Sequence, residues 1–532
     1  MKKVLLLVVD ALASRIVIPA MESGQLPMMS QLAERGVLRE NCTSIFPSIT
    51  PAATASITTG VYPVDHGIAG AFWYDEDADS VAYFGDDMWV IFREGMNDFF
   101  NDLLVHLNSR RLSSDTLYQR IERHGHTAAA INFMWFQGET QHEVNPPLLF
   151  KLVPGIRPAS HVMGPKILGL ADFACSEIPG RGQPLKAKGG ITRRFGFHDD
   201  TTADYLQSLT AADPFPEFTL AYFPNNDFVS HKEGPAEALK VIRAFDQHLT
   251  RFIESMGGVD QLLEDFVVVI IGDHSQCDMV PDVERQGIRL DELLDNFTLA
   301  APGTPWKESD DLMVCPNMRA ANIYLHQSDE PFCQSVIGRL LSDPRVDQVL
   351  WRESSGGNPE SHSSAAHRNS RFHVVTSDRG RLSFEYAADA DQNTATDCYG
   401  NVWSLEGDLS CIDATLHDTV IEYNDYPNAL ERIASAFCQS SGDLWVTARE
   451  GHEFCLREMS INNGGSHGAL NKGDSTTSLI VAGLPAGVTV PNRCRTIDIA
   501  PMVLRCLDLD AEAAQLIEAR QAGTACHTES EF

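Results

Sequence analysis

The hydrophobic pattern of the chain consists of short, continuous apolar runs separated by amphipathic stretches. The apolar runs lie at residues 4–10, 127–133, 218–223, 266–273 and 478–483. Continuous runs of this length are typical of strands that are buried on both faces, as in parallel sheets. Amphipathic stretches at 235–256 and 496–509 predict helices. This order of strands and helices predicts a doubly wound, mostly parallel α/β sheet with helices on both faces.

The pattern changes between residues 281 and 462. Alternating residues at 371–387 and 443–450 predict β-hairpin material, and 361–370 is typical of a polar loop. Because the run at 478–483 and the last helix resume the α/β pattern, we interpret the middle part as an inserted, β-rich cap domain. The expected division is a first core segment, the cap and a closing core segment, at residues 1–280, 281–462 and 463–532.

The composition is that of a globular protein with a substantial core. The chain has 532 residues, of which 43% are hydrophobic, and a formal net charge of −32. Such a charge opposes binding to nucleic acid polymers and to anionic membranes. A small anionic substrate would therefore need local positive charge, which a metal ion can supply.

Cysteine usage and hydropathy bear on the location of the protein. The 12 cysteines are scattered without a C-x-x-C pair, as expected for reduced thiols in the cytoplasm. Lys2 and Lys3 followed by VLLLVV resemble a signal peptide, but Asp10 interrupts the apolar run and no cleavage site follows. No run approaches the roughly 18 apolar residues of a membrane helix. We expect a soluble, cytoplasmic protein; the sequence leaves its oligomeric state open.

Acidic residues and histidines follow several predicted strands or lie in glycine-rich loops. Taken singly, each has an ordinary explanation as a cap or turn residue. In parallel α/β sheets, however, the carboxyl ends of the strands form the site, so their joint occurrence there favours a shared function. Six such ligands suffice for two borderline divalent ions, each with an open position, as in catalytic sites. The six residues are Asp10, Asp227, His231, Asp273, His274 and His467.

Thr50 stands directly before Pro51 and a run of small residues. Locally this predicts a helix N-cap followed by proline at the first helical position. That interpretation requires no catalytic role.

Four motifs occur together along the chain. They are TGVYPVDHGI at 59–68, D-x-x-x-H-x-x-G-P at 227–235, GDH at 272–274 and S-H-G around His467. As a set, they resemble the alkaline phosphatase superfamily, and within it the type I phosphodiesterases and nucleotide pyrophosphatases, to which phosphonoacetate hydrolases are close. The resemblance covers roughly residues 1–280 and 460–510, outside the expected cap.

The resemblance implies a role for each candidate. The implied ligands are Asp227, His231 and His467 for one zinc ion, and Asp10, Asp273 and His274 for a second. Thr50, ten residues before the glycine of TGVYP, would be the nucleophile at the second ion. Manganese is the alternative metal. His66 matches the family motif but has no metal position left, so we assign it a structural role.

The implied reaction is a two-step phosphoryl transfer. Thr50, ionised by metal coordination, attacks phosphorus, and water then hydrolyses the phosphothreonine in line from the opposite side. A helix N-terminus at Thr50 adds backbone donors and a positive dipole, while Ala52 and Ala53 leave room for a phosphoryl group.

The chain departs from the family after HGI. In nucleotide pyrophosphatases an asparagine there holds a non-bridging phosphate oxygen, whereas here Ala71 occupies the position. Asn225 and Asn226, or Arg193 and Arg194, are candidates to replace this donor, although ordinary loop and surface roles are simpler.

The substrate therefore stays open. A phosphodiesterase is the first choice, and a phosphomonoesterase or a phosphonoacetate-type hydrolase of carbon–phosphorus bonds is the alternative. The non-enzyme alternative is a metal-bound binding protein that has lost catalysis.

Overall fold

The computed structural model describes residues 1–75, 80–84, 102–147, 159–301, 306–327, 329–353, 367–388 and 394–522. Two large sheets organise these residues. We call the first of these the central sheet. From one edge strand to the other, the order of its strands is Gly36–Thr43, Thr476–Ala482, Phe266–Ile271, Lys3–Val9, Phe218–Phe223, Ala128–Ile131, Ile167–Leu170 and Ala174–Cys175.

The inner strands of the central sheet are parallel. Lys3–Val9 lies between Phe218–Phe223 and Phe266–Ile271 and pairs in parallel with both. Alternate residues of Lys3–Val9 pack into two different hydrophobic clusters, one on each face of the sheet. Burial on both faces explains why the run is continuously apolar. The structure confirms the predicted, mostly parallel α/β core.

One predicted strand runs against the others. The apolar run at 478–483, predicted as a parallel strand, forms Thr476–Ala482, which pairs antiparallel with Phe266–Ile271. Gly36–Thr43 then pairs antiparallel with it and forms the edge. The predicted direction was wrong because a strand buried on both faces is equally apolar in either direction.

Along the chain, helices alternate with the strands of both sheets. The stretch predicted at 235–256 forms Pro235–Ser255, and that at 496–509 forms a 3₁₀ turn followed by Ile499–Cys506. None of the described helices combines the length and apolar character needed to cross a lipid bilayer. The other α-helices are Ser14–Glu22, Pro27–Glu34, Thr50–Thr59, Pro63–His66, Leu117–Arg123, Asp199–Leu209, Asn225–Glu233, Val259–Asp265, Val283–Gln286, Leu290–Leu293, Glu330–Leu340, Ala429–Ala434, Lys472–Ser475 and Asp510–Ala522. Asp102–Arg111 is π-helical, and the 3₁₀ segments are Ile191–Gly196, Leu409–Ile412 and Thr496–Asp498.

The second sheet is built from strands between residues 312 and 448. Their order is Leu312–Asn317, Ala320–Leu325, Leu444–Ala448, Val346–Arg352, Phe372–Val375, Arg381–Tyr386, Val402–Gly407, Thr394–Asp397, Val420–Tyr423 and Ala414–His417. The predicted hairpin at 371–387 is confirmed as an antiparallel pair, and the run at 443–450 forms an inner strand. Residues 361–366 of the predicted polar loop lie outside the described residues. Short two-stranded pairs are Phe72–Asp75 with Ser80–Tyr83, Thr140–Glu143 with His161–Gly164, Cys277–Asp278 with Gly465–Ser466, and Gly287–Arg289 with Glu453–Cys455.

The second sheet packs directly against loops of the central sheet. The ring of Phe46 lies edge-on to Trp445, with the centroids 5.3 Å apart, and Leu470 joins the same buried cluster. Phe46 lies shortly before Thr50, and Leu470 lies shortly after His467. The second sheet therefore contacts two loops that carry predicted site residues. The boundaries at 280/281 and 462/463 stay a prediction.

Candidate active site

The carboxyl ends of the parallel strands bring the predicted site residues together. Asp10 and Asp273 follow adjacent parallel strands, and Asp227 lies in the helix after a third strand. Because these strands are neighbours and run in the same direction, their carboxyl ends lie side by side at one end of the sheet. The predicted site residues are all buried or half-buried at this end: Asp10, Thr50, Asp227, His231, Asp273, His274 and His467.

One cluster contains Asp227, His231 and His467, whose ligand atoms all lie within 4.8 Å of one another. Asp227 and His231 are one turn apart on their helix, which places both side chains on one face. Asp227 Oδ1 lies 3.2 Å from His231 Nε2 and 3.6 Å from His467 Nε2. The three residues expected to share one ion are therefore close enough to do so.

A second cluster contains Asp10, His274 and, again, Asp227. His274 Nε2 lies 3.3 Å from Asp10 Oδ1 and 3.6 Å from Asp273 Oδ2. The sequence grouped Asp273 with this pair. In the structure, Asp273 Oδ1 accepts hydrogen bonds from the backbone N–H groups of Ala11 and His274, at 3.1 and 2.9 Å. Only Oδ2 of Asp273 is left to face the second cluster. Asp227 belongs to both clusters.

The three histidines present the same ring nitrogen to the site. Nδ1 lies within hydrogen-bond distance of a backbone carbonyl in each: Ser275 for His274 (3.0 Å), Gly465 for His231 (2.9 Å) and Ser48 for His467 (2.6 Å). Because a carbonyl only accepts, Nδ1 donates and Nε2 is left to face the site. The Nε2 atoms of His231 and His467 lie 3.3 Å apart. This orientation by the outer nitrogen is the usual one for metal-binding imidazoles.

Burial and neighbouring charges shift the acidity of these groups. Burial, together with Asp273 and Asp227, raises the pKa of Asp10 well above its usual range. Burial opposes the charged form of His231, but the Asp227 carboxylate outweighs it and raises the pKa of His231 to about 9. The pKa of Asp227 is lowered in spite of burial, because His231 lies beside it. Asp227 thus stabilises the charged form of His231, whereas burial and the neighbouring His274 lower the pKa of His467 well below its usual value.

The donor set fits divalent cations. Asp10 Oδ1 and Asp273 Oδ2 are buried and accept no hydrogen bond from the part of the chain that the structure describes. A buried carboxylate oxygen without a donor is costly unless a cation lies near it. Carboxylate oxygens combined with imidazole nitrogens are ligands of borderline ions such as zinc and manganese. The residues present therefore suit metal ions.

Thr50 is the first residue of the helix Thr50–Thr59, which we call the Thr50 helix. The predicted N-cap position was wrong by one residue, since Ile49 occupies the cap. The Thr50 hydroxyl lies 2.9 Å from His274 Nε2, to which it can donate. N–H groups in the first turn have no carbonyl partner within a helix, so this terminus can receive an anion. The residues that follow Thr50 are small and buried, as expected for such a site.

Two residues that the sequence did not single out contact the candidate ligands. The Tyr222 hydroxyl donates to Asp10 Oδ2, and the Gln276 amide donates to Asp227 Oδ1. Tyr222 had a usable signal, because it is a polar-tipped residue near the end of an apolar strand. Its pairing opposite Val8, close to Asp10, is known only from the sheet register. Gln276 had no signal beyond its position shortly after GDH.

The departure at Ala71 is visible in the structure. Ala71 offers no side-chain donor, and its own N–H donates to Asn317 Oδ1 at 2.7 Å. The four candidates for a replacement donor all make contacts within the protein: Asn225 with Arg194 and His198, Asn226 with the carbonyls of Asp10 and Ala11, Arg193 with Asp204, and Arg194 with the ring of Phe228. These contacts favour ordinary structural roles for the four.

Comparison with known proteins gives one family match. No curated protein matches the chain significantly. Residues 4–470 match the family model of type I phosphodiesterase / nucleotide pyrophosphatase. This match runs through residues 281–462, which the motif resemblance left out. The chain therefore belongs to the type I phosphodiesterase / nucleotide pyrophosphatase family of the alkaline phosphatase superfamily, and is a hydrolase of phosphoric esters.

Proposed function

We propose that the protein is a two-metal phosphodiesterase of the nucleotide pyrophosphatase type, with Thr50 as its nucleophile. The observation that carries the proposal is the 2.9 Å contact between Thr50 Oγ1 and His274 Nε2, at the edge of the second cluster. Two other hydroxyls of the Thr50 helix have partners away from the candidate ligands. Thr59 donates to a backbone carbonyl of its own helix, and Ser56 contacts His66. Of these three helix residues, Thr50 is the one whose hydroxyl contacts a candidate ligand.

The proposed metals are two zinc ions, with manganese as the alternative. The residues that would hold them are Asp227, His231 and His467 for one, and Asp10, Asp273 and His274 for the other. When bound, the ions would supply the charge that ionises the hydroxyl and neutralises the phosphoryl oxygens. Asp227 is near both sets, so its carboxylate can influence both sites.

The residues of the chain perform two steps. Thr50 Oγ1 forms a bond to phosphorus as the bond to the leaving oxygen breaks, which gives a phosphothreonine and releases an alcohol or nucleotide. Water then cleaves the bond between Thr50 Oγ1 and phosphorus and releases the remaining phosphate product. Throughout, the first-turn N–H groups of the Thr50 helix would orient the phosphoryl oxygens.

The proposed substrate is a small phosphodiester or pyrophosphate. A phosphomonoester or a phosphonate is the second candidate, because the side-chain donor expected near Ala71 is absent at that position. We also propose a cytoplasmic location, which the cysteines support: those in the described residues are free thiols, most of them buried.

A panel of substrates tests the assignment. We expect the metal-loaded enzyme to hydrolyse bis(4-nitrophenyl) phosphate and nucleotide diesters faster, in kcat/KM, than the matched monoester or phosphonoacetate. Faster turnover of the monoester or the phosphonate would reassign the substrate class. Total metal analysis of the same sample should give about two ions per chain. Bound metal without turnover of any of these substrates would favour the metal-bound binding protein.

A further inference from the structure

Arg432 is a fully buried arginine on the short helix Ala429–Ala434, in the segment that carries the second sheet. Its guanidinium donates to uncharged groups: the carbonyls of Pro427 (3.1 Å), Leu470 (2.7 Å) and Ile45 (3.1 Å), and Ser48 Oγ (3.1 Å). It makes no ion pair with any described residue. Although burial lowers its pKa to about 10, the side chain is charged at neutral pH.

The hydrogen bonds of Arg432 join two loops of the site. Ile45 and Ser48 belong to the loop that leads into Thr50, and Leu470 belongs to the loop that follows His467. Ser48 contacts Arg432 and also the loop that carries His467. Its carbonyl accepts the Nδ1 proton of His467 at 2.6 Å, and its hydroxyl lies 3.1 Å from the carbonyls of Ile45 and Ala469. One side chain thus contacts the loop of the nucleophile and the loop of a candidate ligand.

We propose that Arg432 is a positioning residue: it holds Ser48 so that the Ser48 carbonyl orients the His467 ring toward Asp227. Donation from Arg432 occupies a lone pair of Ser48 Oγ and leaves its proton for a loop carbonyl, which limits the hydroxyl to fewer orientations. The proposal rests on the proposed function, because it assumes that His467 Nε2 binds metal. Partners of the outer histidine nitrogen typically change metal affinity by about 10- to 100-fold when they are removed.

Stability alone is a weak reason for this arginine. A buried charge loses its hydration, and carbonyl dipoles replace hydration less completely than an anion would. Buried ionic groups are often replaced by apolar residues of similar size without loss of stability. A cation held between two site loops, with no ion-pair partner among the described residues, is better explained by what it positions.

The test compares zinc affinity and kinetics in Arg432→Met and Arg432→Lys. We expect metal-free Arg432→Met to bind zinc at one of its two sites about 10-fold less tightly than wild type does, measured by competition with a chelator of known affinity. We expect kcat for bis(4-nitrophenyl) phosphate to fall by about 10-fold or more, with KM changed less than kcat. Arg432→Lys should recover part of both losses, because it restores a donor to this site.

Arg379→Met is the matched control. Arg379 is a partly buried arginine of the same segment that pairs with Asp347 and with the hydroxyl of Tyr426, and neither partner belongs to a site loop. This variant should lose stability but keep wild-type zinc affinity and kcat per folded molecule.

Ser48→Ala covers the case in which Arg432→Met does not fold. It removes the hydroxyl that Arg432 contacts and keeps the carbonyl that His467 uses, so zinc affinity should fall in the same direction. Wild-type zinc affinity in Ser48→Ala, or in Arg432→Met where it folds, would overturn the inference and leave the proposed function standing. Wild-type protein that takes up no zinc would overturn both.

Discussion

At the scale of single residues, the partner of each oxygen and nitrogen decides what the side chain can do. Asp10 shows this directly: Oδ2 accepts from Tyr222, while Oδ1 has no donor among the described residues. His274 is divided in the same way, with Nδ1 facing the Ser275 carbonyl and Nε2 facing Thr50. Asp10 Oδ1 and His274 Nε2 therefore face the candidate site and lie 3.3 Å apart.

Thr50→Ala tests the nucleophile at this scale. We expect kcat for diesters to fall by about 10³-fold or more, because the attacking oxygen is lost while the candidate ligands remain. Thr50→Ser is the control; it keeps a hydroxyl and should retain more activity than Thr50→Ala by at least about 10-fold. Steady-state kinetics with metal analysis of each variant measure both effects. Unchanged turnover in Thr50→Ala, with metals bound, would mean that water attacks the substrate directly.

At the scale of elements, the Thr50 helix is fixed by buried hydrogen bonds from its neighbours. Trp135 Nε1 donates to the Pro51 carbonyl at 3.0 Å, near the first turn. His66 anchors the middle: its Nδ1 accepts the N–H of Ile68 at 3.1 Å, so its Nε2 donates to Ser56 Oγ at 2.9 Å. The structural role expected for His66 is consistent with these contacts.

His66→Asn should reduce the pH dependence of stability. Burial lowers the pKa of His66 from 6.5 to about 3, so the folded protein keeps it neutral while the unfolded chain protonates it. Stability from this group is complete above pH 6.5 and is lost as the pH falls from 6.5 toward 3. The loss is about 1.4 kcal/mol per pH unit within that window. Urea unfolding of wild type and variant between pH 4 and 7 measures the difference in slope.

His417→Asn serves as the control for this measurement. The His417 side chain is 68% exposed, so its replacement should leave the slope as in wild type. Equal slopes for wild type and His66→Asn would contradict the prediction.

At the scale of the whole molecule, buried polar contacts connect the two sheets across the site. Arg319, at the turn between two strands of the second sheet, pairs with Asp474, and both side chains are fully buried. The Arg319 N–H donates to the His467 carbonyl at 2.9 Å, and Asp474 accepts from the Ala469 N–H at 2.7 Å. The second sheet is therefore part of the support of the His467 loop.

A double-mutant cycle tests this connection. Arg319→Met should destabilise the metal-free protein by about 3–5 kcal/mol, because it leaves Asp474 buried without its ion-pair partner. The double variant with Arg319→Met and Asp474→Asn should lose less stability than the sum of the losses of the two single variants. The difference should be about 0.5–3 kcal/mol, because the double variant contains no unpaired buried charge. Thermal and urea unfolding give these values. Strict additivity would show that the two residues do not interact in solution.

Metal removal tests the molecule as a whole. Dialysis against a chelator should abolish diester hydrolysis and lower the midpoint of thermal unfolding, because ions that bind the folded chain stabilise it by mass action. At zinc concentrations 100-fold above Kd, that stabilisation is about 2.7 kcal/mol per site. Adding zinc back should restore both properties. Full activity in metal-free protein would contradict the two-metal proposal.

Features that depend on local residue chemistry can be predicted from the residues alone. Continuous apolar runs identified the inner strands of the central sheet, since a strand such as Lys3–Val9 is buried on both faces and has no polar side. Asp10, Asp227 and His467 could be selected as candidates because acidic residues and histidines at strand ends or in glycine-rich motifs, when they occur together, favour a shared site. Apolar runs and short motifs of this kind each involve only a few neighbouring residues.

Features that depend on contacts between distant parts of the chain are visible only in the folded protein. The antiparallel direction of Thr476–Ala482 follows from its partners, since apolar periodicity is the same in both directions. The position of Asp227 beside both clusters, and the contacts of Tyr222 and Arg432, require groups separated by up to several hundred residues to meet. A local sequence pattern does not predict such contacts, because hydrogen bonds and ion pairs depend on distance in space and not on separation along the chain.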